Sequence, residues 1–174
     1  GPRAGVVNDD GILDAWQLLG EPERSNLKDL IADGRLDDLD ARLAERNGSG
    51  TPVPLQLDRI DLLPPVPDPD KIVCIGLNYR SHAEEFDLDL PAAPTIFAKY
   101  RNALAGPDRT VTLPAASGKV AYEAEIAFVI GRRAKDVAVD DALGHVAGYT
   151  LLNDLSARDL QFLTPQWMPG KVFD

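Results

Sequence analysis

The sequence predicts a β-rich α+β protein. Short apolar runs bounded by turn-forming residues recur through the second half of the chain, which is typical of strands rather than of long helices. The helical patterns are short and do not alternate regularly with the strands, so the repeated βαβ order of a parallel sheet is missing. A proline-rich stretch separates this region from a smaller unit at the start, which predicts two domains.

The first 63 residues form one compositional unit, which predicts a small N-terminal α/β domain. Val6-Val7 and Ile12-Leu13 flank the polar turn 8–11, as in two short strands joined by a tight turn. Two short helices are predicted after Ser25, because apolar residues recur there at helical spacing. Their apolar faces consist of Leu27, Leu30 and Ile31 and of Leu36, Leu39 and Leu43.

Prolines dominate the connection between the two regions. Six of them lie between Pro52 and Pro69, and each fixes φ and lacks a backbone donor. The stretch therefore predicts a rigid, extended connector that contains an edge strand. We place the domain boundary here, with a first domain over 1–63, a linker over 64–70 and a second domain over 71–174.

The second domain is rich in predicted strands. Apolar, β-branched and aromatic residues concentrate there in short segments separated by turn-forming residues. Predicted strands cover 71–75, 95–98, 110–113, 123–130 and 146–152, and short helices cover 78–86, 140–143 and 156–162.

The charge balance excludes two classes of partner. Among 174 residues, 18 are Lys or Arg and 28 are Asp or Glu, so the net charge is −10. Nucleic acids and anionic membrane surfaces require the opposite surplus. The longest unbroken apolar run, 126–130, is too short to span a bilayer. A single cysteine, Cys74, allows no internal disulfide and fits a reducing compartment, so a cytoplasmic protein is expected.

Glu123 and Glu125 open a predicted strand, and the period of two puts both carboxylates on one face. Two like charges beside an apolar run repel each other and resist desolvation. A hard divalent cation between them would remove both costs, since such ions prefer oxygen ligands. An edge strand with a solvated acidic face produces the same pattern, and on these residues alone that interpretation is favoured.

Asp154 ends the predicted strand 146–152 and precedes a predicted helix. Site residues often follow a strand in this way. The same position suits a helix N-cap, a role that Asp fills well. The pattern alone leaves ligand and cap equally open.

His82 and Glu85 are neighbours on one face if the segment 78–86 is helical. A carboxylate on one ring nitrogen raises the basicity of the imidazole, and the other nitrogen can then take a proton from water. A surface ion pair on a polar helix is the alternative, and without further information it is the more common case. Cys74 lies in an apolar strand, where cysteine is usually an inert core residue.

Eight segments of the second domain form an ordered set of motifs. They are KIVCIGLNY (71–79), SHAEE (81–85), PTIFAK (94–99), YEAE (122–125), VIG (129–131), GYT (148–150), NDLSARD (153–159) and GKVFD (170–174). Taken together, these segments resemble the fumarylacetoacetate hydrolase family. The resemblance covers about 68–174, and 1–63 look like the small N-terminal domain that many bacterial members carry. It implies a mixed β-roll or barrel, incomplete here, because the family domain continues beyond the motif at 170–174.

Two further features bear on which part and which type of the family this is. The chain starts Gly1-Pro2 without Met and stops at Asp174, so we expect a truncated or partly resolved chain. Between Lys71 and Ala83 there is no acidic residue, so the additional upstream aspartate of fumarylacetoacetase proper is missing. The resemblance is therefore to the smaller bacterial type with three carboxylates.

The resemblance implies a metal site and a water-activating pair. Glu123, Glu125 and Asp154 correspond to the family's carboxylate ligands of Mg²⁺ or Mn²⁺, with Ca²⁺ possible in crystals. His82 and Glu85 look like the dyad that activates water, on a segment that becomes ordered when substrate binds.

The remaining implied site residues face the substrate. Lys171 looks like the family lysine beside the developing oxyanion, and Arg158 and Gln161 match positions near the substrate oxygens. The expected activity is metal-dependent hydrolysis of a C–C bond in an acylpyruvate-like 2-keto acid of aromatic catabolism, by a homodimer. A 2-hydroxyhepta-2,4-diene-1,7-dioate isomerase, an oxaloacetate decarboxylase and a catalytically incompetent fragment stay open, since the motifs do not separate them.

Overall fold

A computed structural model describes residues 1–9, 11–45, 54–85, 87 and 89–174, with the backbone alone at position 82. The chain divides into two compact units, 1–66 with 126–151 and 67–125 with 152–174. No helix in these described ranges is long and apolar enough to cross a membrane. The division into an N-terminal domain, a linker and a catalytic domain stays a prediction.

The regular elements of the described residues are short strands and short helices, as expected for an α+β protein. The strands pair two by two, β1 with β2, β3 with β4, β5 with β8 and β6 with β7, and in the described ranges no sheet closes into a barrel. In chain order the strands are β1 (Gly5–Asn8), β2 (Gly11–Asp14), β3 (Ile72–Gly76), β4 (Thr95–Lys99), β5 (Val120–Ala121), β6 (Ala124–Ile130), β7 (Val146–Asn153) and β8 (Ser156–Ala157). The α-helices are α1 (Ala15–Leu18), α2 (Leu27–Ala32), α3 (Leu36–Ala44), α4 (Arg80–Glu85) and α5 (Arg158–Gln161), and 3-10 helices cover Leu57–Arg59, Arg101–Ala103, Val139–His145 and Met168–Gly170.

The first unit begins with the predicted hairpin, in which β1 and β2 pair antiparallel. The two predicted helices are confirmed as α2 and α3, and Asn26 rather than Ser25 caps α2 by accepting a hydrogen bond from the backbone of Asp29. The short helix α1 was not predicted, because its four residues are too few to show a period. It contributes Trp16, the centre of a core formed with Ala4, Ala15, Leu30 and Leu39.

In its described part, from Pro54 onward, the proline-rich connector forms an isolated bridge rather than a strand. Leu55 exchanges two backbone hydrogen bonds of 2.8 Å with Ile12 at the edge of β2. Gly11 lies against this bridge at φ +136°, and a Cβ there would meet the Leu55 carbonyl. Pro52, at the start of the predicted connector, lies outside the described residues.

Four predicted strands in the second half are confirmed as β3, β4, β6 and β7, with each end within one residue of the predicted one. The strand predicted over 110–113 is wrong: the segment is exposed and belongs to no described ladder, and Pro114 follows it without a donor. The helix predicted over 140–143 is a 3-10 helix, and the one over 156–162 begins with the strand β8 and becomes helical only at α5. The helix predicted over 78–86 is observed as α4, and Phe86 lies outside the described residues.

The second unit is organised around the antiparallel hairpin of β3 and β4. Trp167 packs on Gly76 at the end of β3, and a Cβ at Gly76 would overlap the indole ring. The same indole makes an edge contact with Phe97 of β4, with the ring centroids 5.9 Å apart. These contacts bring the segment 167–171 against the hairpin, and this positions Lys171.

Candidate active site

The three predicted carboxylates lie where β6 begins and β7 ends. Glu123 and Glu125 occupy the same half-buried face of the chain, as the period of two predicts. The backbone N–H of Asp154 donates to the Glu123 carbonyl at 2.9 Å, and the Glu123 N–H donates to Oδ1 of Asn153 at 3.2 Å. Backbone pairing therefore brings Asp154 next to Glu123 across the ladder.

Lys171 lies between two of these carboxylates. Its Nζ donates to Oε2 of Glu123 at 2.7 Å and to Oδ2 of Asp154 at 2.9 Å, and the residue is only 2% exposed. The Phe97 ring centroid is 5.0 Å from the same nitrogen, within the range of a cation–π contact. The preceding residue, Gly170, allows the backbone to pass close to Ala157, because a Cβ at position 170 would lie 2.6 Å from the Ala157 carbonyl oxygen.

Lys99 is a site residue that the sequence reasoning missed. At the end of β4, its Nζ donates to Oδ1 of Asp154 at 2.6 Å and also to the backbone carbonyl of Lys171. Its side chain is 10% exposed. A lysine that ends a largely apolar strand is a signal that could have identified it, since buried lysines require a partner.

Arg158 and Gln161, predicted to face a substrate, lie together on α5. Arg158 donates from one guanidinium nitrogen to Oε1 of Gln161 at 3.0 Å and forms an ion pair of 2.5 Å with Oε1 of Glu123. Gln161 is 3% exposed. The arrangement joins α5 to Glu123, so that three cations and the carboxylates of Glu123 and Asp154 form one cluster.

The electrostatics of the cluster differ between its carboxylates. Burial raises the pKa of Asp154, but the hydrogen bonds from Lys99 and Lys171 outweigh it and hold that pKa below its usual value. Burial also raises the pKa of Glu125; a hydrogen bond from Tyr79 lowers it, the charges of Glu123 and Asp154 raise it, and the net shift is upward. Asp154 is therefore stabilised as an anion, whereas the net upward shift of the Glu125 pKa disfavours its charged form.

The predicted dyad is only partly described. His82 and Glu85 both lie on α4, which is consistent with the helical spacing that the sequence indicated. Glu85 is exposed, and the side chain of His82 lies outside the described residues. A water-activating role for the pair stays a prediction.

The donor set suits a hard divalent cation in its chemistry, since it is made of carboxylate oxygens. In the described ranges, however, no group of three or more His, Cys, Asp and Glu side chains is arranged to hold a metal ion. The ammonium group of Lys171 lies between Glu123 and Asp154 in the manner of a stand-in cation. The carboxylates of Glu123, Glu125 and Asp154 thus match a divalent ion in the type of donor atom, whereas the positions of their side chains form no such group.

Cys74, half-buried in β3, is expected to be almost inert towards alkylation. Burial and the negative charge of Asp154 raise the pKa of its thiol to about 11, although Lys99 and Lys171 oppose the shift. Only the thiolate reacts, so the iodoacetamide rate at pH 8 should be about 100-fold lower than that of a thiol with the ordinary pKa. Mass spectrometry measures this rate directly on the only cysteine, with the urea-unfolded chain as the control. Equal rates in the folded and unfolded chain would contradict the expectation.

Residues 71–174 match the family model described as fumarylacetoacetate (FAA) hydrolase C-terminal. The chain is 43% identical over 122 residues to oxaloacetate tautomerase fahd2, mitochondrial, of Xenopus laevis, a match that covers 69% of this chain and 38% of that protein. It is similar to the structure of 2-hydroxyhepta-2,4-diene-1,7-dioate isomerase from Mycobacterium marinum, with a TM-score of 0.60 and 40% identity over 69% of this chain and 43% of that chain. It is also similar to fumarylacetoacetate hydrolase from psychrophilic Exiguobacterium antarcticum, with a TM-score of 0.77 and 29% identity over 99% of this chain and 58% of that chain. The chain thus spans less than two thirds of each of these proteins.

Proposed function

Because the chain belongs to the fumarylacetoacetate hydrolase family, we propose that it forms part of an Mg²⁺- or Mn²⁺-dependent enzyme that acts on a 2-keto acid through its enolate. The observation that carries the proposal is the cluster of Glu123, Glu125 and Asp154 beside the buried Lys171. A divalent ion held by these carboxylates would supply the positive charge that stabilises an enolate.

The chain's own side chains would contribute binding and orientation. Lys171 offers a positive charge in a site with little solvent, where it acts more strongly on a developing oxyanion than it would in water. Arg158 has five N–H donors and can still orient substrate oxygens beside its bonds to Glu123 and Gln161. Lys99 holds the Asp154 carboxylate in place.

We place tautomerisation or double-bond isomerisation of a 2-keto dicarboxylate first among the possible reactions. Relatives named as an oxaloacetate tautomerase and a dienedioate isomerase support this choice. Both reactions require enolate stabilisation and proton transfer but no attacking water. Decarboxylation of oxaloacetate likewise requires enolate stabilisation and no attacking water.

Hydrolysis of an acylpyruvate is the second candidate. The similarity to a fumarylacetoacetate hydrolase that covers 99% of this chain supports it, as does the placement of His82 and Glu85 on one short helix. Hydrolysis needs a base to activate water, and this is the role proposed for that pair.

Replacing Glu125 by Ala is expected to abolish metal-dependent turnover, because it removes one of the three proposed carboxylate ligands. The rate of turnover is measured by the loss or gain of enol absorbance, with acylpyruvates, oxaloacetate and dienedioates as substrates, in the presence and absence of Mg²⁺. Glu84→Ala, which removes an exposed carboxylate on α4, is the matched control and should keep full activity. Undiminished turnover by Glu125→Ala would refute the proposal.

His82→Ala separates the two candidate reactions. An isomerase should keep most of its rate, whereas a hydrolase should lose about 100-fold or more with its general base. An incompetent fragment would bind neither Mg²⁺ nor oxalate, a flat mimic of the enolate, in titration calorimetry.

We also propose that the protein forms a homodimer, takes a small-molecule substrate and binds neither nucleic acid nor membranes. Light scattering tests the oligomeric state. The cytoplasmic location stays a prediction, and the Xenopus relative is named as mitochondrial.

A further inference from the structure

A single indole anchors the segment that leads to Lys171. The chain from 162 to 166 is exposed, whereas Trp167 is half-buried and packs on the hairpin of β3 and β4. Lys171 follows four residues later and is only 2% exposed. The position of this lysine therefore depends on how the segment is attached at Trp167.

The hairpin has a gap that fits this indole. Its register sets Cys74 opposite Phe97, and the alternation of residues puts Cys74, Gly76 and Phe97 on the same half-buried face. Gly76 adds no side chain to that face, and a Cβ there would overlap the indole ring. Its φ lies outside the left-handed region. The glycine therefore provides space for Trp167 rather than an unusual backbone conformation.

We propose that Trp167 is a positioning residue for Lys171. The indole, packed in the gap at Gly76, fixes the short turn that ends at Lys171 and thereby fixes where the ammonium group lies. The proposal rests on the proposed function, in which this group acts on the developing oxyanion. Trp167 acts through Lys171 and has no part in a covalent step.

The first argument is that the connection between the two residues is short and hydrogen-bonded. A 3-10 turn covers Met168–Gly170, directly after Trp167. The Gly170 N–H donates to the Trp167 carbonyl at 3.0 Å, and the Lys171 N–H donates to the Met168 carbonyl at 2.9 Å. A shift of Trp167 is therefore transmitted to the backbone of Lys171 within one turn.

The second argument is that both side chains contact the same aromatic ring. The Phe97 ring centroid lies 5.9 Å from that of Trp167, with the two planes inclined by 63°. It lies 5.0 Å from the Nζ of Lys171. The edge contact restricts the orientation of the Phe97 ring, and the ring face in turn attracts the ammonium group. Loss of the indole would release the segment and this ring together.

Steady-state kinetics on the whole chain tests the proposal, with the 2-keto acid that the unmodified chain converts fastest. Trp167→Ala should lower kcat at least about tenfold and leave KM within about twofold, because a contact made to the developing oxyanion contributes to kcat alone. Gly76→Ala keeps the indole but fills its place, so it should lower kcat in the same way. Trp167→Phe restores a ring and should recover part of the loss. Gly118→Ala is the matched control with unchanged kcat, because a Cβ there meets nothing within 4 Å.

A second measurement needs neither turnover nor substrate. Labelling of lysines by a small acylating reagent, read by mass spectrometry, reports how accessible each amine is. The labelling of Lys171 should rise several-fold in Trp167→Ala and Gly76→Ala, relative to the exposed Lys119. Lys99 should stay protected, because it keeps its bond to Asp154. A general loss of structure would instead expose both buried lysines.

The outcomes separate the two proposals. A lower kcat together with a rise in labelling confined to Lys171 supports the positioning role. Unchanged kcat, unchanged labelling of Lys171, or an equal rise at Lys99 would overturn it. If Trp167→Ala fails to fold, Gly76→Ala and Trp167→Phe decide by the same criteria. If the unmodified chain converts no 2-keto acid, the proposed function fails, and labelling alone then decides whether Trp167 positions Lys171.

Discussion

Replacing Asp154 by Ala is expected to lower the free energy of unfolding of the second unit by about 3–5 kcal/mol. The carboxylate is the shared partner of two buried ammonium groups, those of Lys99 and Lys171. Lys99 would keep the backbone carbonyls of Leu155 and Lys171, and Lys171 would keep Glu123 and the face of Phe97. Urea unfolding followed by circular dichroism measures the loss.

One control and a pH profile accompany this variant. Asp40→Ala, on the exposed side of α3, should stay within about 0.5 kcal/mol of the unmodified chain. The pKa of Asp154 is lowered from 3.8, so its contribution to stability is complete above that pH and is lost as the pH falls through the lowered folded-state value. The acid-induced loss should therefore be smaller in Asp154→Ala. A loss below about 1 kcal/mol at neutral pH would contradict the role assigned to Asp154.

Replacing Trp16 by Ala is expected to cost about 3–5 kcal/mol and to unfold the first unit at lower urea than the second. The indole is completely buried, and it is by far the largest side chain of a small core whose other members are Ala4, Ala15, Leu30 and Leu39. Its Nε1 donates to the Asn26 carbonyl at 3.0 Å, and the Arg24 guanidinium lies 4.2 Å from the ring centroid. Near-ultraviolet circular dichroism and tryptophan fluorescence follow this core, with Trp167 as the only other tryptophan.

Trp16→Phe separates the loss of aromatic packing from the loss of the indole hydrogen bond. Phenylalanine keeps an aromatic ring in the core but removes the indole hydrogen bond to the Asn26 carbonyl, so a smaller loss of about 1–3 kcal/mol is expected. If Trp16→Ala lost no more than Trp16→Phe, the core would have to be formed by other side chains than those around α1.

Local pattern was enough to predict most of the elements. The hairpin of β1 and β2 follows from two apolar pairs around a polar turn, and α2 and α3 follow from leucines at helical spacing. The segment 110–113 has the same local strand pattern, yet it forms no strand, because a strand needs a partner and the pattern does not say whether one lies beside it. The segment 156–162 shows the reverse case, in which pairing with β5 turns the first two residues into β8.

In the candidate site, too, features of a single element were predicted from the sequence, whereas contacts between elements were not. That Glu123 and Glu125 share a face is a property of one strand, so the alternation of residues was sufficient to predict it. The choice between ligand and helix cap for Asp154 stayed open in the pattern, and the structure shows its side chain accepting from Lys99 and Lys171. Lys99 could not be connected to Asp154 in advance, because 55 positions separate them and only the packing of β4 beside the end of β7 brings them together.

The sequence by itself determined which residue types are available to this protein and which face of each short element they occupy. The sequence also determined the family, because the motifs of that family occur in order along 71–174. Only the tertiary structure decided that Lys99 takes one oxygen of Asp154, that Arg158 takes one oxygen of Glu123, and that Lys171 takes the second oxygen of both. The physical reason is that buried charges must be paired in three dimensions, and periodicity along a chain carries no information about pairs that lie on different elements.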